Sequence, residues 1–413
     1  MKAARLREGA VGFVRSLAGA RAGEYRSGPG GETSFEASCF AALALHAAGA
    51  LAKLEAGERR AWAGYLAGFQ DPRSGLFLGP ELEGPLESPQ HDREHLALHL
   101  TCHALPALAL LGARPAHPLR AAERHLDPGE LLAWLERRDW RRAWREGNEL
   151  LFAGQLLLHL REVEGRREAA AALGLWFDWL DAQQDPRTGL WGTDRGADPH
   201  GALFGAYHPL LVYHYCARPV PRAERILDTA LALQHPDGGF APGGGGGACE
   251  DLDGIDVLVN LHRRTGHRPR AVRRALAGAL ASVLSRQQPD GGFVYRRGEP
   301  FVPMGMRRSA VPADTSHLFP TWFALHSAAL ACELLPGHPL AAPGWGFHAT
   351  CSMGWHDCSP RAKPRPDPLG DRGPESWQRG RRRLRHAARR ATWHARRLAG
   401  GARRRLQARR TAT

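Results

Sequence analysis

Four stretches of this 413-residue chain close on nearly the same turn, and that repetition narrows the available folds more than any other feature. Gln70-Asp71-Pro72-Arg73-Ser74-Gly75-Leu76-Phe77 returns as Gln184-Asp185-Pro186-Arg187-Thr188-Gly189-Leu190-Trp191. A shorter form stands at Gln234-His235-Pro236-Asp237-Gly238-Gly239-Phe240 and at Gln287-Gln288-Pro289-Asp290-Gly291-Gly292-Phe293. The repeat turns thus fall near 70–77, 183–191, 234–240 and 287–293, with closing aromatics 114, 49 and 53 residues apart. The first interval is about twice the others, so a degenerate copy is expected near Trp134 to Trp140, with fainter copies near Tyr25 and Trp345. Such a period marks stacked supersecondary units, each burying its apolar face only against its neighbours.

Each unit reads as two helices. Ahead of the last turn, Val272, Leu276, Leu280, Val283 and Leu284 share one helical face while Arg273 and Arg274 point away, and Leu175, Trp176, Trp179 and Leu180 make a similar segment. The segments after the turns, at 39–51, 150–160, 202–215 and 322–335, are apolar on every side. Amphipathic helices suit an outer layer, and uniformly apolar ones an inner layer. No run alternates as a strand would. The expectation is an all-α fold in which residues 1–360 form a single (α/α)6-type toroid of helical hairpins.

Gln-x-x-Asp-Gly-Gly-Phe at the end of an outer helix resembles the repeat of the terpenoid cyclase and protein prenyltransferase toroids, the squalene cyclase-like superfamily. The resemblance covers most of residues 20–350, as for a divergent member. It implies a structural role for the motif: Gln and Asp tie a turn, and the aromatic packs between helices.

If every turn leads into an inner helix, the inner helices all start at one mouth of the toroid. Polar residues at those starts are Glu36; His91, Asp92 and His95; Asn148 and Glu149; His200 and His208; Glu250, Asp251, Asp253 and Asp256; and Asp314 and His317. Capping needs about one small polar group per helix, and this set exceeds that. Helix starts attract anions, so a carboxylate or diphosphate would be held there, with Arg307 or Arg308 from the loop 294–312. His91, His95, His208 and Trp322 are further substrate-binding candidates. His91, His95, His99 and His103 form one helical stripe, read either as metal ligands or as a satisfied polar face. His348, Cys351, His356 and Cys358 have spacings unlike common zinc patterns. Gly243 to Gly247 lacks the Lys-Ser/Thr ending of a phosphate loop and reads as a flexible connection.

The densest group is Cys249-Glu250-Asp251-Leu252-Asp253-Gly254-Ile255-Asp256, with four acids in seven residues. N-capping is the plainest reading. Asp251-Leu252-Asp253-Gly254 resembles the Asp-x-Asp-Asp acid motif of class II terpenoid cyclases, which implies Asp253 as the catalytic acid and Asp251 as its partner, with Gly in the last place. Two neighbouring carboxylates in a low-dielectric pocket keep one of them protonated. Glu250, Asp256 and His317 complete the catalytic candidates. Protein prenyltransferase β subunits bind zinc through Asp-Gly-Cys and a later His; Asp253-Gly254 and His317 match, the Cys place is Ile255, and Cys249 stands one turn earlier. Asp253, His317 and Cys249 are therefore the metal candidates, with zinc or magnesium as the ion and neither required. The expected function is that of a terpenoid-cyclase-like or prenyltransferase-like enzyme, acting on an isoprenoid by carboxylic-acid catalysis at the toroid mouth. The alternatives are a carbohydrate-active toroid of uronate lyase or epimerase type, and a non-catalytic binding toroid.

Charge separates the tail from the rest. Residues 361–413 carry 18 Arg or Lys against three acids, so the first 360 are close to neutral although the whole chain is +14. A Pro- and Arg-rich end with few apolar residues is expected to be disordered, with contact to anionic membrane or nucleic acid as its alternative role. No obligate protein partner is indicated. Seven cysteines, an odd number, and the lack of any apolar run of signal-peptide or membrane-span length lead to the expectation of a cytoplasmic, at most membrane-peripheral, protein.

Overall fold

The turns are held by the side chains that make them recognisable. Gln70 Nε2 donates to the carbonyls of Gly75 and His117 at 2.9 and 2.8 Å, and Gln234 Nε2 to those of Gly238 and Ala275 at 2.7 and 2.8 Å. Each glutamine thereby ties its own turn to the next outer segment. The aspartates accept main-chain N–H groups inside the turn: Asp71 from Ser74, Asp237 from Gly239 and Gly245, Asp290 from Gly292. The aromatic N–H donates to a side chain of an inner helix, from Phe77 to Thr101 Oγ1, Phe293 to Thr321 Oγ1 and Phe240 to Asp251 Oδ1. Gly238 and Gly291 take φ of +96° and +91°, and a Cβ there would stand 2.4 and 2.3 Å from the carbonyl oxygens of Gly278 and Gly9. Any side chain would strain the turn and push away the neighbouring outer helix.

The computed structural model describes residues 2–357 other than 85, 87, 89 and 90. Among them run twelve α-helices: α1 Ala3–Ser16, α2 Phe35–Ala47, α3 Ala56–Ala67, α4 Arg93–Leu110, α5 Pro128–Glu136, α6 Ala143–Glu162, α7 Glu168–Gln183, α8 Pro199–Tyr215, α9 Ala223–Leu233, α10 Ala248–Thr265, α11 Pro269–Ser285 and α12 Leu318–Glu333. The even-numbered helices pack in the cycle α2, α4, α6, α8, α10, α12 and back to α2, so they close an inner ring. The odd-numbered helices lie outside it, with α9 against α8 and α10, and α11 against α10 and α12. This is the all-α (α/α)6 toroid that the repeat implies.

Burial follows the layers. All but one residue of α2 and all of Ala202–Tyr215 in α8 are buried, whereas α9 buries only Ile226, Leu227 and Ala230. The sole sheet among the described residues is an antiparallel pair, Tyr25–Arg26 with Thr33–Ser34, which leads into α2 where a faint repeat copy is expected. Near Trp140 the degenerate copy is a short 3-10 turn between α5 and α6, with Trp140 stacked on Trp179 at 5.7 Å.

The copy expected near Trp345 is not a further hairpin. The chain after α12 instead crosses the far ends of the inner helices, where Gly346 N–H donates to Ala47 O at 3.0 Å and Trp355 packs on Tyr215 at 5.5 Å. Its tip enters the ring, since Ser352 Oγ donates to the Cys102 carbonyl in the middle of α4 at 3.0 Å. The ring is already closed by α12, so a seventh pair has no edge to add to. No helix among the described residues is long and apolar enough to cross a membrane. The basic segment 361–413 lies outside the described residues.

Candidate functional site

The inner-helix starts open on a cavity of about 610 Å³. Its walls are His91, His95 and His99 from the approach to α4 and its first turns; Trp144, Arg145 and Asn148 from α6; His208 from α8; Cys249 and Asp253 from α10; and Phe319 and Phe323 from α12. The loop from Tyr295 to Gly305 supplies Tyr295, Arg296, Phe301 and Met304, and Met353 from the crossing segment reaches the same space.

The four acids of α10 have four different environments. Asp251, wholly buried, accepts the Phe240 N–H at 2.8 Å through Oδ1 and pairs through Oδ2 with the buried guanidinium of Arg286 at 2.6 Å. It stands where other turns have Thr101 and Thr321, so it is the turn's anchor on the inner helix and does not line the cavity. Burial raises its carboxyl, and Arg286 limits the rise. Gly254 has a scaffold reason of its own, because a Cβ there would sit 2.4 Å from the Phe240 ring. Glu250 accepts from the Tyr295 hydroxyl at 2.7 Å and pairs with Arg296 at 2.6 Å, which fixes the loop over the cavity. Asp256, deeper by a turn, accepts from Asn260 Nδ2 at 2.9 Å, and burial pushes its carboxyl up to about 7.

Asp253 differs from the other three in lining the cavity. It is 1% exposed, and its Oδ2, like that of Asp256, has no partner among the described residues. Burial, reinforced by Glu250, Asp256 and Asp251, pushes its carboxyl well above the usual range and so favours its neutral form. Cys249 beside it is likewise pushed up by burial and by Glu250 and Asp253, which leaves it a thiol.

Across the ring, the histidine stripe of α4 is neither a metal set nor a wet face. His91 Nδ1 meets Ser88 Oγ at 2.8 Å, His95 Nδ1 donates to Glu149 Oε1 at 2.8 Å, His99 Nε2 meets Glu36 Oε1 at 3.1 Å, and His103 Nδ1 donates to the His99 carbonyl. Burial lowers His91 to about 4, with His95 and Arg145 adding to the effect, and holds His99 well below the ordinary histidine range. Glu36 is raised well above its ordinary value by burial and by Glu81, whose carboxylate accepts the Glu36 N–H. His208 donates through Nδ1 to the Phe204 carbonyl at 2.7 Å, and burial lowers it to about 3.

Several sequence candidates lie elsewhere. His317 caps α12, its Nδ1 accepting the Phe319 N–H at 3.0 Å while Nε2 donates to Ser309 O at 2.8 Å. With both ring nitrogens committed, it neither faces Asp253 nor completes a metal site with Asp253 and Cys249. Among the described residues no three His, Cys, Asp or Glu side chains converge as a metal ion requires, so the side chains present do not fit the zinc site of the prenyltransferase resemblance. Trp322 is core, stacked on His326, tilted against Phe40 and edge-on to His103. Arg308 donates to the Thr33 carbonyl and pairs with Glu32 at 3.0 Å, while Arg307 is exposed, so the loop offers the cavity its apolar residues instead of these arginines. His200 donates to the Leu233 carbonyl and Asp314 accepts from the Gly298 N–H. His348 donates to the Met353 carbonyl and His356 accepts from Arg263, away from any shared ligand geometry; Cys358 lies outside the described residues.

The cations at the cavity are Arg145 and Arg296, and neither stands out in the sequence. Arg145 lies one residue after Trp144 at the start of α6, and Arg296 follows Phe293 by three; an offset counted from the repeat turn is the signal that points to Arg296.

No family model and no curated protein matches the chain. Solved structures align over most of it at low similarity: a polysaccharide lyase, 14% identical over 78% of this chain and 94% of its own with a TM-score of 0.45; a type II terpene cyclase from Scytonema in complex with merosterolic acid A, 14% identical over 81% and 97% with a TM-score of 0.45; and a glycosyl hydrolase family 88 protein from Bacteroides vulgatus, 12% identical over 79% and 97%, also at 0.45. The fold assignment rests on the closed ring of inner helices and not on these likenesses.

Proposed function

We propose that this protein is an enzyme that protonates an isoprenoid alkene with Asp253, in the manner of a class II terpenoid cyclase. The observation that carries the reading is a buried carboxyl with an unpartnered oxygen on the wall of a cavity of about 610 Å³, in a setting that raises it well above the usual carboxylate range. Protonating an alkene requires a neutral acid shielded from water. The Asp251 partner of the resemblance is replaced here by the other α10 acids, since Asp251 is tied to Arg286. Phe319, Phe323 and Trp144 offer aromatic faces to a developing cation, and Arg145 and Arg296 suit a diphosphate or carboxylate end of the substrate.

The test is incubation with squalene and with geranylgeranyl diphosphate in D₂O. The expected product is an isomer of the substrate carrying one solvent deuteron on carbon, absent with Asp253→Asn. A sugar-active reading draws on the same two arginines with Tyr295, groups that suit proton abstraction beside a uronate. Formation of an unsaturated uronate from acidic oligosaccharides, with no polyprene turnover, would replace the first reading by that one.

A further inference from the structure

The acid has a counterpart on the opposite wall. Taking the cyclase reading as its basis, we propose that His95, held by Glu149, is the general base that ends the reaction by removing a proton from the final carbocation. The ring order α2, α4, α6, α8, α10, α12 sets α4 three positions from α10, so His95 and Asp253 belong to diametrically opposed helices while lining one cavity.

The choice of His95 follows from its partner. Glu149 Oε1 accepts from His95 Nδ1 at 2.8 Å, which fixes the tautomer and leaves Nε2 as the basic nitrogen. Burial pushes the Glu149 carboxyl up, but the hydrogen bond from His95, with the guanidinium groups of Arg138 and Arg145, outweighs it and holds the group below its usual range. An ionised carboxylate behind an imidazole stabilises the imidazolium formed when Nε2 takes a proton. The other cavity histidines lack that support. His99 meets Glu36, whose carboxyl burial raises well above its ordinary value, His208 is backed by a main-chain carbonyl, and His91 by a serine. The charged and titratable groups around His95 are His91, Asp92 and His99 on its own helix segment, Glu149 and Arg145 from α6, and His208 from α8.

The step balances without an oxidant or reductant. The Asp253 O–H bond breaks as its proton adds to an alkene carbon and leaves a cation. Ring closure moves the charge, and a C–H bond beside it then breaks, its electron pair forming the new alkene and its proton passing to His95 Nε2. Exchange with water returns the proton to Asp253, so the net reaction is an isomerisation. Glu149 acts through His95 and is a positioning residue.

Three variants are compared with squalene and geranylgeranyl diphosphate as probes, with solvent deuterium uptake and the ratio of alkene to alcohol product as readouts. His95→Gln is expected to keep taking up deuterium while alkene product falls by about a hundredfold and water-captured alcohol replaces it. Glu149→Gln is expected to shift the same ratio toward alcohol by about tenfold with substrate consumption retained, a change that a merely structural role would not make. Unchanged alkene from His95→Gln, or an unmoved product ratio in Glu149→Gln, overturns the base assignment while leaving the acid intact. Deuterium uptake by Asp253→Asn, or no turnover of either probe by the wild type, overturns the cyclase reading instead, and the base assignment falls with it.

Discussion

Both ends of the toroid are built on buried histidines, and the two sets are supported in different ways. At the mouth, His95 and His99 reach across to carboxyl groups of neighbouring inner helices, beside a cavity that also holds Asp253 and two arginines. At the floor, where the crossing segment covers the far ends of the inner helices, the buried His214, His326, His348 and His356 are set among aromatic rings, main-chain carbonyls and the guanidinium groups of Arg263 and Arg264. His214 has neither ring nitrogen partnered among the described residues, and His326 stacks on Trp322 and meets Phe347 at 5.5 Å. Histidines alone therefore do not mark a reactive end. At the mouth two histidines meet carboxyl groups of neighbouring inner helices and stand beside space for a ligand, whereas the charged neighbours of His214 and His356 at the floor are arginines.

The largest effect that would break this contrast is catalytic. Asp253→Asn should reduce turnover by roughly 10²–10⁴-fold with an unchanged or higher melting temperature, because it removes a proton donor and a buried acid together. A stable variant with full activity would put the mouth on the same footing as the floor.

Second comes Asp251→Ala, two residues away on the same helix. It strands the buried Arg286 guanidinium and the Phe240 N–H, so denaturant unfolding should report a loss of about 3–5 kcal/mol. A loss below about 1 kcal/mol would mean that Asp251 is not the anchor that its equivalence to Thr101 and Thr321 makes it.

Acid should find the floor next. Burial lowers His348 to about 4 and His356 to about 3, with Arg263 adding to the latter, and holds His214 and His326 well below the ordinary histidine range. Histidines in the unfolded chain titrate near 6.5, so on acidification the unfolded state takes up protons first. Their neutral burial thus contributes fully above about pH 6.5 and is lost as pH falls toward 4. Melting temperature should decline through that window, and His326→Phe should flatten the decline without altering turnover. An unchanged slope would remove His326 from the account.

The smallest effect is expected at the end of the chain. The crossing segment makes its contacts by Asp357, so a protein lacking residues 361–413 should melt within about 1 °C of the full chain, a surface-like change. A drop of several degrees would show that the floor depends on the basic segment as well.

How much could be read in advance follows from what is local. The turn repeat, the all-round apolar character of the inner segments and the amphipathic outer ones are properties of consecutive residues, and they specified a six-hairpin toroid and the mouth at which its polar helix starts meet. They also located the acid-rich start of α10. Counting acids could not distinguish Asp251 from Asp253, because the difference lies in partners 11 and 35 residues away, Phe240 and Arg286. His317 offered the same residue type that a ligand would, yet its ring is used up in capping α12 and in reaching Ser309. The His95–Glu149 pair joins residues 54 apart on separate helices, and Arg145, Arg296 and Met353 arrive from three different segments. Helical period and turn chemistry are set by dihedral preferences along the chain, whereas the charge state of a side chain depends on what the closed ring brings within a few ångströms of it. Only the tertiary structure could therefore decide which acid faces the cavity unpaired and which histidine has a carboxylate behind it.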